Sequence, residues 1–267
     1  MVRPDTLLEM LSDLEYSVIR YEAFLDEVLR PLVTPHALAL SVSVYQTLDR
    51  PPLEAVHNEA FSPVSVGWRW GPVWSTAWFR LSGTLPESFA GKAYGLRFDS
   101  GTEALLWQDG VPHHGFDTNH TLAPLGVLAA DASSIEVLIE AACNMSLGIS
   151  TFWWDHPELH ARWREEKPGR LEHAQLVVID EAAQAFADSW RLAVDLLKSL
   201  PPESPRTMRL ENGLRLLVAR IPAADPLSAI VSLGDDLAAL LVGEGTHGHT
   251  TCLAVGHAHI DTAWLWP

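Results

Sequence analysis

Three side chains of types that bind metal ions recur at every second position in the stretch "CLAVGHAHIDTAWLWP", residues 252–267. They are His257, His259 and Asp261. Alternate side chains of a β-strand point to the same face, so an extended chain over 252–261 would present all three together. Neutral imidazole and carboxylate groups are suitable ligands for zinc and related divalent ions. The spacing alone leaves a metal site and a hydrogen-bonded structural cluster equally open.

The apolar residues that precede these side chains predict the element that would position them. A short apolar run of this kind is typical of a strand in a buried parallel sheet. The carboxyl end of such a strand projects its side chains into the crevice where active sites of barrels and open sheets lie. We therefore interpret residues 251–267 as the start of a new domain.

The N-terminal part of the sequence, residues 1–35, predicts one amphipathic helix over 6–30. Its apolar residues recur at alternating steps of four and three, and Pro31 is expected to end it. These residues are Leu7, Leu11, Leu14, Val18, Tyr21, Leu25 and Val28. The spacing favours a helix packed on its own domain, and a contact between the subunits of a homo-oligomer stays open as the alternative.

Residues 36–170 predict an antiparallel β-sandwich of the jelly-roll type. Short alternating runs such as "TAWFRLSG", "EALLWQDG" and "SIEVLIEAAC" are separated by Gly, Pro, Asn and Asp. Asp109-Gly110 predicts a hairpin turn, because it can supply the positive φ angles that a tight turn needs. Tryptophans are frequent here, and we interpret them mainly as packing residues rather than a sugar-binding surface. The pair Trp153-Trp154 is the exposed candidate, because adjacent residues point to opposite sides.

Residues 171–250 predict a helical connecting region. An apolar stripe recurs at helical spacing, and "LPPESP" breaks it. Its residues are Leu176, Ile179, Ala183, Phe186, Trp190, Ala193 and Leu197. Further helices are predicted around Thr207–Ala219 and Pro226–Val242. The predicted fold class is therefore α+β in several parts: a helix, a sandwich, a helical segment and the first strand of a further domain.

Composition and charge exclude two classes of partner. Eighteen basic and thirty-four acidic residues give a net charge of −16, so nucleic acid and anionic membranes would find no basic patch. No uncharged apolar stretch reaches the roughly 18 residues that cross a bilayer. Two cysteines, Cys143 and Cys252, provide no disulfide framework and favour a reducing compartment. We expect a soluble, cytoplasmic protein.

Three parts of the sequence resemble a known enzyme family. "AVGHAHIDTAWLWP" closely resembles the opening of the catalytic domain of the retaining α-mannosidases of glycoside hydrolase family 38, and is most similar to their cytosolic and vacuolar type. "RWGPVWSTAWFRLSGTLPESFAGKAYGLRFDSGTEALLWQDGVP" is similar to the β-rich region that precedes that domain. "IEVLIEAACNMSLG" and the helical stretch through "LPPESPR" are similar to the segments after that β-rich region. The resemblance covers most of the chain from about residue 60 onward.

The resemblance implies a role for each residue of the terminal motif. The motif would begin the first strand of a (β/α)7 barrel. The positions matching His259 and Asp261 bind a catalytic Zn2+. His257 matches a further family position and is a third candidate ligand. Trp264 matches the tryptophan that stacks on the mannose ring. The implied substrate is an oligosaccharide with terminal α-mannose.

The same resemblance places the catalytic carboxylates downstream of these residues. A retaining glycosidase needs a nucleophile and an acid/base about 5 Å apart, and in this family both are aspartates later in the chain. We expect the 267 residues to be an N-terminal piece that is inactive alone. Two alternatives stay open: the start of a metal-dependent amidohydrolase barrel, which also opens with H-x-H, and a non-catalytic carbohydrate-binding sandwich.

Overall fold

A computed structural model describes residues 12–144, 165–242 and 253–256 of the chain. The chain divides into two compact units. A sandwich unit is built from the strands between His36 and Val178. A helical unit combines the N-terminal helix with the helices that come after the strands. The two predicted helical segments thus contribute to one unit, which runs up to Pro35 and resumes at Ile179.

The strands of the sandwich unit form antiparallel sheets. The bounds of the strands are β1 His36–Ala39, β2 Ser41–Thr47, β3 Ser62–Val64, β4 Arg69–Trp70, β5 Thr76–Thr84, β6 Ala93–Asp99, β7 Glu103–Gln108, β8 Val111–Phe116, β9 Leu122–Val127, β10 Ser134–Ala142, β11 Gly169–Arg170 and β12 His173–Val178. A six-stranded sheet has the order β3-β2-β5-β10-β7-β8, and a four-stranded sheet has the order β1-β12-β6-β9. Strands β4 and β11 pair separately.

Both large sheets bury alternate residues in one core, which is why the alternating sequence runs form strands here. Phe79 and Leu81 of β5 and Ile139 of β10 belong to this core, and all three are 0% exposed. Phe98 and Leu176 enter the same core from the four-stranded sheet. The predicted antiparallel sandwich is confirmed.

Two local features of the sandwich depend on particular residues. The predicted turn at Asp109-Gly110 is confirmed, because φ is 51° at Asp109 and 78° at Gly110. The run "ALALSVSVY" forms two strands instead of one, with a break at Leu40. Its first half pairs with β12 and its second half with β5, so the chain passes from one sheet to the other at this residue.

The helical unit contains three long helices after the strands. The bounds of the helices are α1 Asp13–Phe24, α2 Arg30–Val33, α3 Leu53–Val56 (in the sandwich unit), α4 Glu181–Ser199, α5 Pro205–Arg220 and α6 Pro226–Leu241. The side chains of Asp180, Ser204 and Asp225 cap α4, α5 and α6 by accepting backbone N–H bonds. Within the described ranges, no helix combines the length and apolar character needed to cross a membrane.

The N-terminal helix differs from its predicted pattern in one turn. Residues Leu25–Leu29 form a π-helical turn between α1 and α2. The wider turn shifts the buried face from Val28 to Leu29 and Val33. Pro31 does not end the helix, because it occupies the first turn of α2, where a missing N–H is tolerated.

The strand region extends beyond the predicted limit at residue 170. Strand β12, His173–Val178, lies inside the four-stranded sheet between β1 and β6. Leu176, which fits the helical stripe by spacing, is therefore a strand residue of the sandwich core. Ile179 also precedes the helix, which begins at Glu181. The stripe is confirmed from Ala183 onward, since Ala183, Phe186, Trp190, Ala193 and Leu197 are buried on α4.

Candidate functional site

The residues predicted to bind a metal and a sugar, His257, His259, Asp261 and Trp264, lie outside the residues that the structure describes. The segment that leads to them is described at residues 253–256 and has no regular secondary structure. Leu253 is 85% exposed and Val255 is 83% exposed. This segment has the sequence of a buried strand, but it pairs with no strand among the described residues, and its apolar side chains are exposed.

The described residues of the two units offer no second metal site. In those ranges, no three His, Cys, Asp or Glu side chains are grouped so that they could hold a metal ion. The terminal motif is the candidate metal centre on the ground of its sequence alone. Its donor set of imidazole and carboxylate suits zinc.

The tryptophans of the sandwich divide into packing residues and partly accessible ones. Trp70 and Trp78 are 0% exposed, and the indole nitrogen of Trp70 donates to the carbonyl of Ser100 at 3.1 Å. Packing is therefore confirmed for these two residues. Trp107 is half-buried, and Trp74 is 40% exposed. The pair Trp153-Trp154, the exposed candidate by sequence, lies outside the described residues.

A second apolar cluster lies on the face of the six-stranded sheet that points away from the core. We call it the outer aromatic face, and it contains Leu53, Val56 and Trp78 with Tyr45, Phe61, Trp107 and Leu138 packed against them. The strand register brings these residues together. Trp78 pairs with Tyr45 on one side and with Glu140 on the other, and Leu138 pairs with Trp107.

The indole of Trp107 is held in place on this face. Its ring centre lies 6.0 Å from that of Trp78, at an interplanar angle of 34°. Its Nε1 donates to Oε2 of Glu140 at 3.2 Å. Burial raises the pKa of Glu140 above its ordinary value, and the hydrogen bond from Trp107 opposes this shift.

The outer aromatic face also contacts a partly buried arginine, Arg80. The guanidinium carbon of Arg80 lies 4.0 Å from the centre of the Phe61 ring, a cation–π contact. Nε of Arg80 and Nε1 of Trp78 are buried and have no hydrogen-bond partner among the described residues. The outer aromatic face thus contains polar donors within an apolar surface.

A cavity of about 350 Å³ lies beside Trp107, at the turn between β7 and β8. We call it the hairpin cavity. Strand β10 pairs with β5 over Ser134–Ala142 but with β7 only over Leu138–Ala142. The first residues of β10 therefore extend past the end of β7, and the cavity opens at this step.

The walls of the hairpin cavity combine apolar and polar side chains. Its polar and aromatic lining comprises His57, Tyr94, Trp107, Gln108, Asp109 and Glu136. Asp109 and Glu136 are exposed carboxylates, while Oε1 of Gln108 is buried without a hydrogen-bond partner among the described residues. Burial raises the pKa of Tyr94. The remaining lining is aliphatic, and Leu125 and Leu138 belong to it.

The sequence pattern alone does not predict this cavity. Trp107 is one of several tryptophans in the β-rich region, and no motif singles out Gln108 or Glu136. A partial signal exists for Trp107 and Glu136, because the odd-numbered residues of β7 and the even-numbered residues of β10 point away from the core. The cavity itself depends on where the pairing of β7 with β10 stops, which alternation does not reveal.

The helical unit has a groove of about 520 Å³ between α1 and α5. The hydroxyl of Tyr21 donates to the backbone carbonyl of Glu211 at 3.1 Å and lies 3.3 Å from its Oε1. Burial, followed by the nearby Glu211 carboxylate, raises the pKa of Tyr21 to about 12. These bonds connect the two helices and leave Tyr21 with a structural role.

The two packed antiparallel sheets define the sandwich unit as a domain of the jelly-roll type. The family model described as "Alpha-mannosidase, jelly roll domain" matches residues 35–177. The chain belongs to this alpha-mannosidase family. The match begins and ends within two residues of the structural sandwich unit, His36–Val178.

Individual relatives are similar over most of the chain. Alpha-mannosidase 2C1 of Mus musculus is 31% identical over 91% of this chain, and the Homo sapiens protein of the same name is 31% identical over 85%. Alpha-mannosidase G of Dictyostelium discoideum is 22% identical over 77%. The aligned regions make up 23%, 22% and 19% of the lengths of these relatives. The chain thus spans less than a quarter of each of them.

Proposed function

We propose that this chain is part of a zinc-dependent retaining α-mannosidase that removes terminal α-D-mannosyl residues from oligosaccharides. The observation that carries the proposal is the match of the alpha-mannosidase jelly-roll family to residues 35–177. The similarity to relatives named alpha-mannosidase supports the same glycosidase class. The order of the sequence supports it as well, since a motif with metal-ligand chemistry comes after the jelly roll and the helices.

His259 and Asp261 are the proposed zinc ligands, with His257 as a third candidate. Zinc is commonly held by three or four ligands drawn from imidazole, carboxylate and thiolate groups, so this donor set suits it. The ion, when bound, would supply a Lewis acid that polarises sugar oxygens. Trp264 is proposed to present its ring to the apolar side of the sugar.

The two catalytic carboxylates are not assigned within this sequence. Retention of configuration requires a nucleophile and an acid/base about 5 Å apart on either side of the scissile bond. We propose that residues outside the 267 supply both groups, together with the remaining zinc ligands. The 267 residues alone are then catalytically inactive.

The proposed partners are those of the same enzyme class. The substrate is an oligosaccharide with a terminal α-mannose, and the parent enzyme is proposed to work as a homo-oligomer in the cytoplasm. The excess of acidic residues, thirty-four against eighteen basic ones, argues against nucleic acid and anionic membranes as partners. The low cysteine content supports a reducing compartment.

An assay of an enzyme that contains this chain tests the proposal. It should hydrolyse 4-nitrophenyl α-D-mannoside and leave the β-mannoside and the α-glucoside intact. Removal of metal with a chelator should abolish turnover, and added zinc should restore it. Hydrolysis that survives complete metal removal would refute zinc dependence, and a preference for another glycoside would refute the substrate.

A further inference from the structure

We infer that the hairpin cavity of the sandwich unit binds one hexopyranose ring of a neutral oligosaccharide. Ligand pockets in proteins are commonly about 300–1,000 Å³, mostly apolar and equipped with a few polar groups. The cavity, at about 350 Å³, lies at the small end of that range and has this mixed lining. A single sugar ring combines an apolar face with a rim of hydroxyls, which is the pattern that such a lining fits.

The apolar wall is provided by Trp107. Its Nε1 is bound to Oε2 of Glu140 at 3.2 Å and its ring packs on Trp78. The indole plane is therefore fixed before any ligand arrives, so little side-chain entropy is lost on binding. Glu140 is a positioning residue here, because it acts through the orientation of Trp107.

The polar rim suits hydroxyl groups. The carboxylates of Asp109 and Glu136 are exposed at the cavity and accept hydrogen bonds from hydroxyl donors. Gln108 also lines the cavity, although its Oε1 is buried and has no hydrogen-bond partner within the described part of the chain. The two carboxylates and Trp107 line the same cavity.

The negative charges that line the cavity favour a neutral ligand over an anionic one. The described lining contains two carboxylates and neither lysine nor arginine. A phosphorylated or carboxylated ligand would be repelled by Asp109 and Glu136. A neutral sugar offers many hydroxyl donors and carries no such penalty.

The choice of mannose as the first probe depends on the proposed function, whereas the site itself does not. The described lining of the cavity contains none of the residues of the proposed zinc motif. Variants at Trp107 and at the zinc motif therefore test the two proposals separately. The inference adds a proposed sugar contact on the jelly roll to the proposed role of the terminal motif.

Calorimetric titration of the whole 267-residue chain with methyl α-D-mannoside and with mannobiose tests the inference. We expect saturable binding with a Kd in the millimolar range. Glu136→Gln should weaken binding by about tenfold, because it removes a charged acceptor from an exposed position. Trp107→Leu should abolish binding while thermal unfolding remains cooperative. Glu140→Leu should weaken binding although Glu140 itself does not contact the sugar.

Two matched variants make the result decisive. Glu87→Gln changes an exposed glutamate of the same unit outside the cavity, and it should leave binding unchanged. Asp261→Ala alters the proposed metal motif and should also leave binding unchanged. An absence of binding heat at tens of millimolar sugar would overturn the inference. Binding that is lost in Asp261→Ala but retained in Glu136→Gln would overturn it as well.

Discussion

The indole Nε1 of Trp107 and Oε2 of Glu140 are joined by a hydrogen bond of 3.2 Å between two neighbouring strands of the six-stranded sheet. The bond holds a half-buried aromatic ring beside a cavity and keeps a carboxylate in a partly apolar environment. Its electrostatics and its geometry both lead to measurable consequences.

Glu140→Gln should change how stability depends on pH. Burial raises the pKa of Glu140 above its ordinary value of 4.5. Because the folded protein holds this proton more tightly than the unfolded chain does, the protonated carboxyl stabilises the fold. This contribution is fully present below pH 4.5 and is lost as the pH rises through the pKa of Glu140 in the folded protein. Glutamine stays neutral at every pH and its amide oxygen still accepts the bond from Trp107. The free energy of unfolding of the variant, relative to that of wild type, should therefore increase from pH 4 to pH 7.

Urea unfolding of both proteins at the two pH values measures this difference. Glu87→Gln, an exposed change in the same unit, serves as the control and should show an equal effect at both. A Glu140→Gln effect that is the same at pH 4 and pH 7 would show that Glu140 has an ordinary pKa.

Gly169→Ala should destabilise the sandwich unit by about 1–3 kcal/mol, the usual cost of an overpacked core. A Cβ at this position would lie 2.4 Å from Nε1 and 2.6 Å from Cε2 of Trp70. Trp70 is 0% exposed and bonded to Ser100, so its ring has little freedom to move. Denaturant unfolding followed by near-UV circular dichroism reports on this packing.

Gly115→Ala is the matched control for Gly169→Ala. Gly115 is also a strand residue of the sandwich, and a Cβ there would meet nothing within 4 Å. Its substitution should change the free energy of unfolding by less than about 0.5 kcal/mol. Equal effects at the two glycines would contradict the close contact with Trp70.

The sandwich could be predicted from the sequence because alternation is a local property. Phe79 and Leu81 enter the core while Trp78 and Arg80 point outward, and this order is legible in "TAWFRLSG". Asp109-Gly110 carries its own turn signal. Strand β12 could not be predicted, because Leu176 fits both a strand and a helical stripe. Only the pairing of β12 with β1 and β6 decides between strand and helix.

The candidate sites differ in how far the sequence predicts them. The terminal motif is a contiguous pattern, so His257, His259 and Asp261 are visible in the sequence, and their roles remain predictions. The hairpin cavity depends on the pairing of β10 with β7 beginning only at Leu138. Gln108 and Glu136, which no spacing rule connects, line this cavity. The π-helical turn after Phe24 was likewise invisible to a fixed helical period.

Two glycines of the helical unit should respond to alanine in different ways. Gly234→Ala adds a Cβ that meets nothing within 4 Å, so it should stabilise α6 by roughly 0.5–1 kcal/mol through helix propensity. Gly213→Ala gains the same propensity, but its Cβ would lie 2.5 Å from Leu240 Cδ1 and Cδ2. The free-energy cost of moving Leu240 opposes the gain in helix propensity.

Thermal unfolding of the two variants, monitored by far-UV circular dichroism, makes the comparison. Gly234→Ala should raise Tm, and Gly213→Ala should have a lower Tm than Gly234→Ala. If Gly213→Ala is as stable as Gly234→Ala, α5 and α6 are not in close contact at Gly213.

The 267-residue polypeptide, produced alone, should not hydrolyse 4-nitrophenyl α-D-mannoside at any zinc concentration. The terminal motif provides at most three metal ligands, and we assign neither catalytic carboxylate to these residues. Release of nitrophenolate is measured against a buffer blank, with a longer α-mannosidase containing the chain as the positive control. Turnover by the short polypeptide at a rate near that of the control would refute this assignment.

Replacement of both His259 and Asp261 by alanine, in an α-mannosidase that contains this chain, tests the central claim most directly. Loss of a metal ligand pair removes several kcal/mol of transition-state stabilisation, so kcat/KM should fall by about a hundredfold or more. Bound zinc should fall in parallel. His249→Ala, a nearby histidine outside the motif, should keep both zinc and turnover. Full zinc content and full turnover in the double variant would contradict the claim.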